Sequence, residues 1–167
     1  MDINSTSSIS LLGMELLVLK QILPDETLPL RQAVLRPNLP LSESRFQSDQ
    51  SEHAAHYGVF DGEMLVAVGT VYPEACEHVH AIPSMAAPGA WRLRGMATAN
   101  SHRNRGCGEL ILRACLEHAK RAGGRLVWAH ARTGAVNFYL RHGLIKVGNE
   151  YELPKIGPHY LMMVEFK

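Results

Sequence analysis

Arg103-Asn104-Arg105-Gly106-Cys107-Gly108-Glu109 is the stretch on which the reading of this chain turns. It is a basic, glycine-bearing turn that runs straight into Glu109 to Ala122, where Ile111, Leu112, Cys115, Leu116 and Ala119 recur at helical spacing. Gly123-Gly124 supplies the stop. Glycines let the backbone approach a ligand closely and aim successive N–H groups at one point. The helix start adds partial positive charge, and the arginines add full charge. The turn is therefore suited to phosphate. Two familiar phosphate motifs fail against it. A Walker loop needs Lys and then Ser or Thr after its last glycine, and Glu109-Leu110 stands there instead. A dinucleotide fingerprint needs a third glycine and an acid near the end of the next strand, and neither is present.

Working outward, the turn is fed by Trp91 to Ala99, which reads as a buried strand. Further upstream, Ala54 to Phe60 and Met64 to Tyr72 are strand-like runs joined by Asp61-Gly62, a strong hairpin signal. Leu16 to Leu19 reads as a strand and Asp25 to Leu35 as a helix that stops before Pro37. Residues 36–52 and 73–89, with their prolines, read as irregular. Downstream come a strand over Arg125 to Ala131, a short helix over Ala135 to His142, and a closing strand pair at Lys146 to Tyr151 and Tyr160 to Phe166. The order predicts an α/β (α+β) fold. We expect a central mixed, mostly antiparallel sheet of about six to seven strands flanked by helices on both faces.

Composition bounds the function. The 167 residues, 46% hydrophobic and 20% charged, suffice for one core and not for two ordinary domains, so a single domain over residues 1–167 is expected, with residues 1–10 loose. Lys and Arg number 17 against 16 Asp and Glu, a net charge of +1, which speaks against nucleic acid or an acidic membrane as partner. Ile9 to Leu19 is apolar, but Glu15 interrupts it and it falls short of the roughly 20 residues that span a bilayer. Cys76, Cys107 and Cys115 are an odd set without ligand spacing, which predicts reduced thiols and a cytoplasmic setting. The nine histidines form no convincing ligand set with Cys or Asp, so no metal is expected.

The turn resembles the signature of the GNAT N-acetyltransferase superfamily, Gln or Arg, two residues, Gly, one residue, then Gly or Ala, which Arg103, Gly106 and Gly108 fit. Leu93-Arg94-Gly95-Met96-Ala97-Thr98 is similar to the family's cofactor strand, whose backbone pairs with the pantetheine arm as an added strand would. Ala135 to Leu144, with Tyr139 and Gly143, is similar to the family's short last helix, Leu144 replacing the usual Phe. Where the family often has an Asn, this chain has Arg132, and Asn137 is offered as the substitute.

The resemblance implies acetyl-CoA as cosubstrate, a primary amine of a small molecule or protein as acceptor, and a possible homodimer. It implies cofactor binding by Met96, Ala97, Thr98, Arg103, Asn104, Arg105, Gly106, Cys107, Gly108, Glu109 and Asn137. Acetyl transfer by direct attack in a ternary complex requires a base, a polarised carbonyl and an acid for the leaving thiolate. Backbone N–H groups of Met96 to Thr98 suit the carbonyl, and Tyr139, a phenol of ordinary pKa about 10, suits the thiolate. For the base the candidates are His78, His80, Glu74, Glu77, Glu152 and His159; His159 is favoured because Ile156-Gly157-Pro158 reads as a rigid turn that aims it. Cys107, at the helix start, is not expected to act as a nucleophile. A noncatalytic acyl-CoA sensor with the same loop is the alternative.

Overall fold

Gly62 takes φ +60° in the computed structural model, which describes residues 7–9 and 16–167, and the two-residue turn it opens joins two long neighbouring strands. Only antiparallel strands can be joined so tightly, and the hairpin read from Asp61-Gly62 is therefore realised. The strands are β1 (Ser7–Ile9), β2 (Leu17–Ile22), β3 (Ala55–Asp61), β4 (Met64–Pro73), β5 (Ala90–Thr98), β6 (Leu126–Arg132), β7 (Ile145–Leu153) and β8 (Gly157–Glu165). The α-helices are α1 (Leu28–Leu30), α2 (Pro83–Ala86), α3 (Cys107–Arg121) and α4 (Val136–Arg141). The expected mixed, mostly antiparallel sheet flanked by helices is formed. Among the described residues it has eight strands, the three-residue β1 adding to those read from the sequence. The expectation that residues 1–10 are loose lies outside the described residues except at Ser7–Ile9, which are paired with β2. Among the described residues no helix is long and apolar enough to cross a membrane.

The chain packs as two compact units. One comprises the described residues up to Thr70 together with Gly95–Cys115. In it β1, β2 and β3 run antiparallel, with registers Ser7↔Leu19 and Leu17↔Asp61 through Ile22↔His56. Val66 to Tyr72 of β4 is buried without a break, as in a strand covered on both faces. Ile111, Leu112 and Cys115 of α3 are buried as their spacing predicts. A Cβ added at Gly69 of β4 would stand 2.4 Å from Ile111 Cγ2 and 2.8 Å from Met96 Sδ, so glycine permits close approach there.

The helix expected over Asp25 to Leu35 forms in three pieces, a 3-10 turn at Pro24–Thr27, α1, and a π-turn at Arg31–Leu35 closed by Arg36 N–H on Arg31 O. Pro29 removes a backbone donor from the middle of the run, which explains the irregularity. The π-turn presents Arg31 inward, fully buried. Its Nη1 and Nη2 donate to Asp49 Oδ2 and Oδ1 at 2.6 and 2.9 Å, Nη2 also to Thr70 Oγ1 at 2.7 Å, and Nη1 to Ser44 O at 3.0 Å. His56 closes the ring: Nε2 donates to Asp49 O at 3.3 Å, and Nδ1 lies 2.8 Å from Thr70 Oγ1. Residues 36–52, read as a loop, carry two 3-10 turns at Leu41–Ser44 and Gln47–Gln50, the second of which supplies Asp49.

The other unit comprises Val71–Arg94 and Leu116–Lys167. Its strands lie in the order β5-β6-β8-β7. β6 runs parallel to β5 and antiparallel to β8, and β8 runs antiparallel to β7, with a bulge between Val147 and Tyr151. Trp128, Leu126, Met85, Cys76, Leu161 and Met163 form its core. Both tryptophans are buried, Trp128 donating its Nε1–H to Glu74 O at 2.7 Å. α3 ends where Gly123 takes φ +87° and Gly124 N–H caps Ala119 O.

Candidate functional site

The phosphate-suited turn is built from the hairpin corner upward. Ala99 N–H donates to Val66 O at 2.8 Å, and a 3-10 turn at Asn100–His102 then places the His102 ring inside the protein. His102 Nε2 donates to Asp61 Oδ2 at 2.8 Å, so the tight hairpin anchors the loop that follows it. Arg103, Asn104, Arg105 and Gly106 are exposed. Asn104 and Gly106 take φ of +60° and +81° immediately before α3 begins at Cys107. Left-handed residues spaced in this way at a helix start turn backbone N–H groups aside from the ordinary helical direction, an arrangement suited to an anion. A Cβ at Gly106 would meet nothing within 4 Å, so glycine serves its dihedral and not the space around it. Glu109 is engaged by Arg113 at 2.9 Å. Cys107 is buried, and that burial pushes its thiol above the ordinary range, with Arg105 opposing.

Met96, Ala97 and Thr98 lie on β5 just beyond Gly95, which takes φ +68° in mid-strand. Ala97 is buried, while Met96 and Thr98 are half-buried. The register of β5 on β6 runs from Ala90↔Leu126 to Arg92↔Trp128 and stops there, although β5 continues to Thr98. Gly95 interrupts the extended run that a ladder needs.

In the unit holding α4, a 3-10 turn at Thr133–Ala135 leads into the helix. Tyr139 is buried, its ring 5.1 Å from Phe138, and the helix closes with Leu144 N–H on Tyr139 O and Gly143 at φ +91°. Asn137 is exposed. His159 departs from the turn expected of it: β8 already begins at Gly157, and His159 is a buried strand residue in register with Arg132 and Tyr151. Gly157 has φ +107° and gives the backbone its bend one step before Pro158. Because a carbonyl can only accept, His159 Nδ1 donates to Gly157 O at 2.7 Å, which leaves Nε2 with the lone pair in the neutral ring. Burial holds this imidazole below the usual histidine range, partly offset by the Gly157 hydrogen bond.

The other base candidates separate clearly. Glu74 is paired with Arg92 at 3.0 Å, and Glu77 and Glu152 are exposed. His78 lies 4.1 Å from the Tyr151 ring and 5.1 Å from His80. Tyr151 also stacks on His159 at 6.4 Å and hydrogen-bonds His130 Nδ1 at 2.5 Å. Burial lowers His130 to about 3 and raises Tyr151 above the ordinary phenol value. His102, His130 and Tyr151 were not singled out by the sequence analysis. The apolar run around His130 on β6 marks it as an inward-facing polar residue, whereas Tyr151 stands between Glu150 and Glu152 and carries no such signal.

A family model described as the acetyltransferase (GNAT) family matches residues 19–144. The chain is 27% identical over 147 residues to the uncharacterized N-acetyltransferase YitI of Bacillus subtilis (strain 168), spanning 88% of this chain and 95% of that one. Its fold is similar to that of Escherichia coli ElaA, with a TM-score of 0.68, 19% identity and coverage of 89% of this chain and 99% of that one. It is also similar to a chain of the NatC complex, solved with Gag peptide and CoA, with a TM-score of 0.69, 13% identity and coverage of 92% and 100%. A GCN5-related N-acetyltransferase from Kribbella flavida gives a TM-score of 0.63 at 16% identity, over 90% of this chain and 98% of that one.

Proposed function

Because the chain belongs to the acetyltransferase (GNAT) family and is an N-acetyltransferase that uses acetyl-CoA, we propose that its Arg103–Gly108 turn holds the cofactor's pyrophosphate and that transfer to a primary amine proceeds by direct attack. The observation that carries this reading is the pair of left-handed residues, Asn104 and Gly106, each directly following an exposed arginine, just before α3. Met96 to Thr98 offer backbone groups to the pantetheine arm, with the N–H groups positioned on a strand that has left its β6 ladder. Asn104, Arg105, Cys107 and Glu109 contribute main-chain groups to the same turn, and Asn137 offers an exposed amide on α4.

Acetyl-CoA supplies an activated acyl carbon and a thiolate leaving group. The residues of this chain supply the proton inventory. His159 Nε2 accepts a proton from the acceptor ammonium, its ring oriented by the Nδ1–H bond to Gly157 O. A backbone N–H of the Met96 to Thr98 segment stabilises the charge that develops on the carbonyl oxygen as nitrogen bonds to carbon. Tyr139 gives its hydroxyl proton to the departing sulfur as the C–S bond breaks, and recovers it from solvent.

We read the chain as one acetyltransferase domain, because β4, β5 and α3 each continue along the sequence from one compact unit into the other. Three reduced thiols support a cytoplasmic setting, and a homodimer is expected from the family; sedimentation checks the latter. The central experiment is calorimetric titration with acetyl-CoA beside a Gly108→Glu variant, followed by a panel of small amines and peptide N-termini. Binding lost in the variant supports the turn. Absence of binding by the folded unmodified protein ends the reading.

A further inference from the structure

The cofactor strand is bent at Gly95, and the side chain that lies against the bend is Arg31. A Cβ at Gly95 would stand 2.7 Å from Arg31 Nε and 3.1 Å from Phe46 Cε2. Nε is the guanidinium nitrogen that has no hydrogen-bond partner among the described residues, so this edge of the group packs on the glycine backbone. The other two nitrogens bind Asp49, Ser44 and Thr70, and the face of the group lies 4.2 Å from the Phe46 ring centre. Asp49 Oδ2 additionally accepts from Phe46 N–H at 2.9 Å, so the carboxylate that holds the arginine also shapes the turn that carries it. A guanidinium held by a bidentate fork and two further acceptors has one available position. With the group held there, no side chain fits at residue 95, which the left-handed backbone also reserves for glycine.

We propose that Arg31 and Asp49 are positioning residues that fix the kink at Gly95, and through it couple the ordering of residues 41–51 to the binding of acetyl-CoA by Met96 to Thr98. The inference rests on the reading of Met96 to Thr98 as the cofactor strand. Its chemistry is reciprocal. If the clamp sets the strand for the acyl donor, the donor must in turn hold the clamp and the turns that supply Asp49 and Ser44. Thr70 anchors the same guanidinium to β4, whose Val66 carbonyl holds the far end of the segment at Ala99. The four residues Gly95 to Thr98 are thus pinned at both ends.

Removing one partner of a buried ion pair leaves a charge stranded, so single variants test folding as much as function. A paired replacement, Arg31→Met with Asp49→Leu, keeps the volume apolar and removes the clamp. It is expected to melt near the unmodified protein while kcat/KM for acetyl-CoA falls by about tenfold or more through misplacement of the strand. Unchanged kcat/KM in that folded variant overturns the proposal. Hydrogen exchange of the unmodified protein provides the independent check. On adding acetyl-CoA, exchange slows at residues 95–98 and also at residues 41–51. Protection of residues 95–98 alone overturns the coupling and leaves the cofactor site standing; protection of neither overturns the site and the coupling with it.

Discussion

His102 Nε2 donates to Asp61 Oδ2 across 2.8 Å, joining the last residue before the glycine turn to the corner of the β3–β4 hairpin. His102→Ala leaves the half-buried Asp61 carboxylate without this donor and frees the start of the turn. We expect a loss of about 1–3 kcal/mol in unfolding free energy and weaker acetyl-CoA binding. Denaturant melts and calorimetry on the same sample check both. Unaltered affinity in a variant destabilised to this extent would mean that the turn does not depend on its anchor.

Gly106 and Gly108 answer different demands, and their substitutions should part. Gly106→Ala places a methyl in open space but forces a left-handed alanine, at about 1–2 kcal/mol. Its effect should be a modest loss of stability that acetyl-CoA partly restores. Gly108→Glu adds negative charge at the start of α3 and should abolish binding while leaving the melting temperature little changed. Equal effects of the two variants on affinity would remove the distinction.

Tyr139→Phe keeps the ring that fills its place on α4 and removes the hydroxyl. Turnover should fall by about 100-fold or more with the acetyl-CoA dissociation constant unchanged. Full activity in the Phe variant takes Tyr139 out of the mechanism.

Acid should unfold this protein through its histidines. Burial is the largest cause of the lowered values at His56, His78, His118, His130 and His159. In the unfolded chain these rings take up protons near the ordinary value of about 6.5, whereas the folded protein resists until lower pH. Stability is therefore fully present above about pH 6.5 and is lost as pH falls, for His130 across the whole interval down to about 3. Urea unfolding at a series of pH values should show this decline, with a shallower slope in His130→Gln. A flat profile below pH 6.5 contradicts the assignment. The same sign applies to catalysis at His159: the acid limb of kcat/KM should lie below the usual histidine range, because only the neutral ring accepts a proton.

The sequence was legible where a signal is local. Asp61-Gly62 specifies its hairpin through a dihedral that glycine alone adopts freely, and α3 announces itself by the spacing of Ile111, Leu112, Cys115 and Ala119 between two glycine stretches. The glycine turn proposed to hold the cofactor is equally local. What escaped was set by distant partners. Arg31 is an ordinary surface cation by composition, and only Asp49, 18 residues away, and Thr70, 39 residues away, make it a core residue. His159 was read as a turn residue because Gly157-Pro158 suggests a break, yet pairing with Arg132 and Tyr151 carries β8 through that proline. Tyr151 and His130 meet across 21 positions, a separation that no periodicity encodes.

All three cysteines are free and at most 1% exposed, and burial raises each thiol above its ordinary range. Aromatic disulfide reagents and alkylating agents react with the thiolate and need access to it, so the folded protein presents them with a blank. The by-product of acetyl transfer is itself a thiol. A colorimetric thiol count on a turnover mixture therefore registers released CoA against a protein background of zero, until the moment the protein unfolds and adds three sulfurs to the signal.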